Sequence, residues 1–140
     1  MNEKEILSPY DIKKATISQF KKYLEVDDKK PKDYFNTGTR FGQILHARLR
    51  LQCSSLNEHL FKKNLRNDSL CVCGSIENTI HFLLHCPLYI NFRNKYFNKL
   101  PCSLTEHNLL YGDDSLTSIE NAYIFRQVQS YIIDSKRFDY

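Results

Sequence analysis

Three cysteines and one histidine have the types and the spacing of metal ligands. The segment CVCGSIENTIHFLLHC places Cys71 and Cys73 one residue apart, His81 after seven intervening residues, and Cys86 after four more. Zinc in proteins binds four such sulfur and nitrogen donors in a tetrahedron. The pattern C-x-C-x7-H-x4-C therefore predicts a zinc site.

The residues between these donors predict how they are brought together. Gly74 permits the positive backbone angles of a tight turn after the two cysteines. Asn78 or Thr79 can cap a short helix that carries His81 and ends at Cys86. We expect this helix to pack on the domain through Ile76, Ile80, Leu83 and Leu84.

The spacing leaves the fourth ligand open. His85 lies one helical turn after His81, so it can replace Cys86 in a site with two cysteines and two histidines. A catalytic zinc with Glu77 as its base is another alternative, although four protein donors favour a closed structural site. The remaining alternative is ordinary buried thiols with surface histidines. Cys53 and Cys102 have no partners at ligand spacing, and the odd count of five cysteines argues against a disulfide framework.

Two adjacent aspartates in LLYGDDSL raise the possibility of polymerase chemistry, because paired carboxylates bind catalytic magnesium. A polymerase pair would lie between apolar strands. Instead, Thr105 and Gly112 mark the ends of a short helix, and Thr117 with Glu120 has capping-box spacing before a longer one. The apolar face predicted for the longer helix consists of residues at helical spacing: Ile119, Tyr123, Ile124, Val128, Tyr131 and Ile132. Residues 113–114 are therefore predicted to form a turn. No phosphate-binding loop or nucleophile motif is present in the sequence, so we expect no enzymatic activity and no small-molecule substrate.

Helical patterns predict an all-α domain with one zinc-knuckle loop. With 140 residues, 41% of them hydrophobic, the chain can form one globular core. We predict an N-terminal helix from Ser8, followed by a charged, exposed linker over EVDDKKPKDYFNTGT, residues 25–39. The domain boundary is placed within this linker, with the N-terminal helix and linker assigned to residues 1–33 and the helical zinc domain to residues 34–140. Ser55 and Glu58 have capping-box spacing before a helix that is expected to bury Leu56, Leu60 and Phe61, and Pro87 begins a further helix. No run of about 18 apolar residues or secretory leader is present, which predicts a nuclear or cytoplasmic protein without a membrane partner.

The basic residues cluster around the predicted zinc site. Nine lysines and arginines lie between Arg40 and Lys99, against three acidic residues, in a chain of net charge +4. This distribution suggests a polyanionic partner such as RNA or DNA, although a solvated helical surface has the same composition. The predicted nucleic-acid-binding residues are Arg40, Arg48, Arg50, Lys62, Lys63, Arg66, Arg93 and Lys95. Four aromatic residues are assigned either to base stacking or, more simply, to the core: Phe41, Tyr89, Phe92 and Tyr96.

The segments YFNTGTRFGQILHARLRLQCSSLNEHLF, CVCGSIENTIHFLLHCPLYINFR, LLYGDDSL and YIIDSKRF resemble the C-terminal tail of reverse transcriptases from non-LTR (LINE-type) retrotransposons of animals. The resemblance covers residues 34–140. It implies that Cys71, Cys73, His81 and Cys86 are the four zinc ligands, and it favours Cys86 over His85. It also places Arg40, Arg48 and Arg50 among basic residues that precede the family's knuckle.

The resemblance implies binding of element RNA or target DNA during target-primed reverse transcription. The endonuclease and polymerase domains of the family are not found in these 140 residues, so no polymerase activity is expected of them. Two other hypotheses remain open. The domain can be a docking module for a retroelement polymerase, or a decayed fragment without a selected function.

Overall fold

The structure is a computed structural model that describes residues 32–139. Five α-helices follow one another: α1 (Arg40–Arg50), α2 (Asn57–Lys62), α3 (Ile90–Tyr96), α4 (Glu106–Tyr111) and α5 (Ser118–Ser135). Short 3-10 turns at Asp33–Asn36 and Pro87–Tyr89 and one wide helical turn at His81–His85 complete the elements. Within residues 32–139 no β-strand is formed, and the all-α prediction is confirmed. The predicted helix from Ser8 lies outside the described residues.

The long helix α5 forms the centre of the core. It packs against α1, α3, α4 and the 3-10 turn at Asp33–Asn36. Its buried apolar residues are Ile124, Phe125, Val128, Tyr131 and Ile132, and all of them except Phe125 belong to the predicted apolar face. The helix begins with a capping box in which Thr117 and Glu120 exchange side-chain and backbone hydrogen bonds, again as predicted.

The turn that holds the two adjacent aspartates lies between α4 and α5, as predicted. Thr105 caps α4, and Gly112 ends it with a φ of +86°, an angle that side chains with a Cβ rarely adopt. The Asp113 carboxylate accepts hydrogen bonds from the backbone N–H and the hydroxyl of Ser115. These bonds hold down the pKa of Asp113. Asp113 therefore stabilises a turn between helices.

Two parts of the sequence interpretation are wrong. Tyr34 and Phe35, at the end of the predicted exposed linker, are buried and pack around Phe125. Their aromatic surface outweighs the polar composition around them. The predicted capping box at Ser55 is also absent, because α2 begins at Asn57, one residue later than this cap requires. Glu77 instead accepts hydrogen bonds from the backbone N–H groups of Asn57 and Glu58.

The predicted burial also fails at several apolar side chains. At α2, Leu56 is buried as predicted and Leu60 is half-buried, but Phe61 is exposed. His59 of α2 is buried as well. Ile119 and Tyr123 are exposed on the outer face of α5, and Ile76 is exposed in the cysteine turn. Among residues 32–139, no helix has both the length and the apolarity that crossing a membrane requires.

Candidate metal centre

A tight turn brings the first two cysteines together. The Ser75 carbonyl accepts a hydrogen bond from the Cys71 N–H at 2.7 Å, and the Cys71 carbonyl accepts one from the Gly74 N–H at 2.9 Å. Gly74 has a φ of +101°, and a Cβ added there would meet no atom within 4 Å. The glycine is therefore required for its backbone angle and not for lack of space. An isolated antiparallel pairing of Leu70 with Ile76 closes the turn.

A wide helical turn supplies the other two donors. The Asn78 side chain accepts a hydrogen bond from the His81 N–H at 2.9 Å, so Asn78 is the predicted cap. The Cys86 N–H donates to the His81 carbonyl at 2.8 Å, five residues back. In an ordinary α-helix, residues five apart lie about 140° apart around the axis. The wider turn instead brings Cys86 above His81.

The spacing of the four donors is compatible with a tetrahedral metal site. The ligand atoms of Cys71, Cys73, His81 and Cys86 all lie within 4.8 Å of one another. The Sγ atoms of Cys71 and Cys86 are 3.6 Å apart, and Cys73 Sγ is 3.3 Å from His81 Nε2. Zinc bonds of about 2.3 Å to sulfur and about 2.0 Å to nitrogen give tetrahedral edges of about 3.8 and about 3.5 Å. The residues therefore lie close enough to hold a metal ion, and their geometry is compatible with zinc.

Burial distinguishes the two candidates for the fourth ligand. Cys86 is fully buried within the group of four donors, whereas His85 is exposed and does not belong to it. Cys71 and His81 are also buried, and Cys73 is half-buried. The structure thus favours the donor set that consists of three cysteines and one histidine.

The environment of the donors controls their protonation. Burial raises the pKa of the Cys86 thiol to about 12, and burial lowers the pKa of His81, so its imidazole is neutral at pH 7. A hydrogen bond from the Ser75 backbone N–H lowers the pKa of Cys73. Thiolate and neutral imidazole are the forms that bind a metal. Metal binding at Cys86 would therefore release a proton.

An ion pair anchors the cysteine turn to the rest of the domain. Glu77 is buried, and its two carboxylate oxygens accept hydrogen bonds from the Arg137 guanidinium at 2.6 and 2.8 Å. This pairing raises the pKa of Arg137. Arg137 also donates to the Ser55 carbonyl and to the side chain of Asn57. Glu77 is thus occupied by structural partners, which argues against the alternative in which it is the base of a catalytic zinc.

Three of the eight predicted nucleic-acid-binding residues have internal roles. Arg50 donates to the Leu110 carbonyl at 2.9 Å and stacks 4.9 Å from the centre of the Phe35 ring. Lys63 is buried with 8% of its surface exposed. Arg93 donates hydrogen bonds to the Cys86 carbonyl and the Tyr131 hydroxyl. The exposed members of the predicted set are Arg40, Arg48, Lys62, Arg66 and Lys95.

The four aromatic residues that were assigned to base stacking or to the core also differ in their exposure. Tyr89, Phe92 and Tyr96 are partly buried against the core, which is the simpler of the two assignments. Phe41 keeps half of its surface exposed on α1. Only Phe41 of this set is thus open enough to stack on a base.

A buried histidine, His59, which contacts Thr79 near the candidate metal ligands, is expected to make stability depend on pH. His59 accepts or donates hydrogen bonds with the Ser54 hydroxyl at 2.8 Å and the Thr79 hydroxyl at 3.3 Å. Burial lowers its pKa to about 4, below the ordinary value of 6.5. Between about pH 4 and pH 6.5, His59 is therefore protonated in the unfolded chain but neutral in the folded chain. The resulting stabilisation is complete above pH 6.5 and is lost as the pH falls towards 4.

Between pH 7 and pH 5 this histidine is expected to reduce the free energy of unfolding by about 2 kcal/mol. His46, also buried with a lowered pKa, acts in the same direction. Urea unfolding of the parent and of His59→Gln at both pH values measures the effect, and the difference between the two chains cancels the contribution of metal loss. Equal pH dependence in both chains would contradict this assignment.

Comparison of the chain with protein-family models, with curated protein sequences and with solved structures gives no match. The metal centre is therefore supported by its own geometry alone. The resemblance to retrotransposon reverse transcriptases stays a prediction.

Proposed function

We propose that residues 34–140 form a zinc-stabilised module that binds RNA or DNA without catalysis, in the manner expected for the C-terminal region of a LINE-type reverse transcriptase. The observation that carries this proposal is the group of four converging donors, Cys71, Cys73, His81 and Cys86. Thiolates and imidazole favour zinc among the common protein metals, and four protein donors leave no open position for a substrate.

The exposed basic residues support the nucleic-acid part of the proposal. Arg40 and Arg48 lie on α1, Lys62 and Arg66 lie at and after the end of α2, and Lys95 lies on α3. Lys62 and Arg66 have acidic neighbours at 3.8 and 3.6 Å, Glu58 and Asp68. Exposed pairs of this kind contribute little energy and exchange readily for phosphate contacts.

Charge reversal tests this surface. Arg48→Glu is expected to weaken binding of single-stranded RNA or DNA about tenfold near 50 mM salt, and to reduce the slope of log affinity against log salt by about one. Fluorescence anisotropy from 50 to 200 mM salt measures both quantities. Arg126→Glu is the matched control, because Arg126 is an exposed arginine of α5 outside the basic segment. Negligible affinity of the parent at low salt, or an equal loss in the control, would contradict the proposal.

A second candidate function is docking of a retroelement polymerase. Leu70, Val72 and Ile76 of the cysteine turn are exposed, Val72 by 92%. Apolar side chains grouped at the surface are typical of protein interfaces. If the domain docks a polymerase, Val72→Ser would weaken polymerase binding and leave nucleic-acid affinity unchanged. Arg48→Glu would instead leave polymerase binding unchanged and weaken nucleic-acid binding.

A further inference from the structure

The wide turn at His81–His85 leaves one buried carbonyl without its usual helical partner. In an α-helix the Phe82 carbonyl would accept a hydrogen bond from the Cys86 N–H, four residues later. Here that N–H donates to the His81 carbonyl instead. Phe82 is fully buried, and an unsatisfied carbonyl in such a position is costly. The wide turn therefore needs a donor from elsewhere in the fold.

Tyr131 of α5 provides that donor. Its hydroxyl donates a hydrogen bond to the Phe82 carbonyl, and the whole side chain is buried. Arg93 of α3 donates to the Tyr131 hydroxyl at 3.2 Å and, through its second nitrogen, to the Cys86 carbonyl. One guanidinium thus links the tyrosine to the backbone of a predicted metal ligand.

These bonds stabilise one of two possible registers of the turn. With α-helical hydrogen bonds, His85 lies on the same face as His81 and is the natural fourth donor. With the wide turn, Cys86 takes that place. We propose that Tyr131, positioned by Arg93, selects Cys86 over His85 as the fourth metal ligand. The Tyr131 hydroxyl does so by donating a hydrogen bond to the Phe82 carbonyl, which loses its backbone donor only when the wide turn forms. This inference rests on the metal centre proposed above.

Electrostatics favours the same selection. A zinc ion with three thiolates and one imidazole has a net charge of −1, whereas two thiolates and two imidazoles give a neutral site. The Arg93 guanidinium contacts the backbone of Cys86, so its positive charge stabilises the set with the additional thiolate. Tyr131 and Arg93 are positioning residues in this scheme, since neither donates an atom to the metal.

Cobalt substitution tests the inference, because thiolate-to-cobalt charge-transfer absorbance reports the number of sulfur ligands. The parent is expected to show the spectrum of three thiolates. Tyr131→Phe is expected to lose about a third of this absorbance per metal and to bind metal about tenfold to a hundredfold more weakly. Tyr89→Phe is the matched control, since the Tyr89 ring lies 6.4 Å from that of Tyr131.

A second substitution distinguishes a change of ligand from general loosening. In the parent, His85→Ala is expected to leave the cobalt affinity unchanged. In the Tyr131→Phe chain, His85→Ala is expected to reduce the cobalt affinity by at least about tenfold more. Arg93→Lys is expected to show the same new dependence on His85 if Tyr131→Phe does not fold.

The outcomes separate the two proposals. A three-thiolate spectrum in every variant, with His85→Ala silent in each, would overturn the selection and leave the metal centre intact. A parent chain that binds no cobalt would overturn the metal centre and this inference with it. A spectrum that loses sulfur only when Tyr131 or Arg93 is changed supports the assignment.

Discussion

Cys86→Ser is expected to contain no zinc after purification without added metal, whereas the parent contains about one zinc per chain. The thermal midpoint should fall by about 10 °C or more, since structural zinc contributes on the order of 10 kcal/mol of apparent binding free energy in small finger peptides. Most of the loss is expected in residues 68–86, because the buried core around α5 contains none of the donors. Hydrogen exchange should therefore accelerate in that segment first.

His85→Ala is the matched control for this prediction. It removes an exposed imidazole next to Cys86 and should keep both the zinc content and the thermal midpoint of the parent. Treatment of the parent with a chelator should reproduce the behaviour of Cys86→Ser. A well-folded parent without zinc would contradict the metal centre, and a loss of zinc in His85→Ala would assign the fourth ligand to the histidine.

Glu77→Ala is expected to reduce the free energy of unfolding by about 3 kcal/mol. The substitution leaves the Arg137 guanidinium, which has 21% of its side chain exposed, without its carboxylate partner in a largely buried site. It also removes the acceptor for the Asn57 N–H at the start of α2. Breaking a buried ion pair on one side typically costs about 3 to 5 kcal/mol. Urea unfolding with zinc present measures the change.

Glu58→Ala is the control for the ion pair. Glu58 pairs with Lys62 at 3.8 Å on the surface of α2, and Lys62 keeps 58% of its side chain exposed. Such a pair contributes less than about 0.5 kcal/mol. The double variant Glu77→Ala with Arg137→Met should recover part of the loss, because no buried charge is then left unpaired. Equal effects of Glu77→Ala and Glu58→Ala would show that the buried pair contributes no more than a surface pair.

Local signals allowed much of the fold to be predicted. The caps at Thr105 and Thr117, the stop at Gly112 and the apolar stripe of α5 each depend on residues within a few positions of one another. The clustering of the four metal donors was also predictable, since their spacing lies within residues 71–86. In these cases the information that determines the structure is contained in one short segment.

The contacts that the sequence did not predict join distant segments. The pairing of Glu77 with Arg137 spans 60 positions, and the bond from Tyr131 to Phe82 spans 49. The apolar spacing of α5 predicts that Tyr131 is buried, but it does not predict that the hydroxyl donates a hydrogen bond to the Phe82 carbonyl. Arg50 belongs to a basic pattern on α1, yet its guanidinium lies over the Phe35 and Phe125 rings. Spacing alone cannot distinguish such an arginine from an exposed one.

The same distances along the chain set an order of events during synthesis. The donors between Cys71 and Cys86 leave the ribosome before Tyr131 and Arg137, which follow Phe82 and Glu77 by 49 and 60 positions. Tyr131, the first of the two anchors, follows the last donor, Cys86, by 45 positions, and at about 5 to 20 residues per second this interval is about 2 to 9 seconds. During that time a nascent chain can meet metal with all four donors present but with neither distant anchor in place. Under the proposed selection by Tyr131, the choice between positions 85 and 86 is made when α5 closes onto the turn.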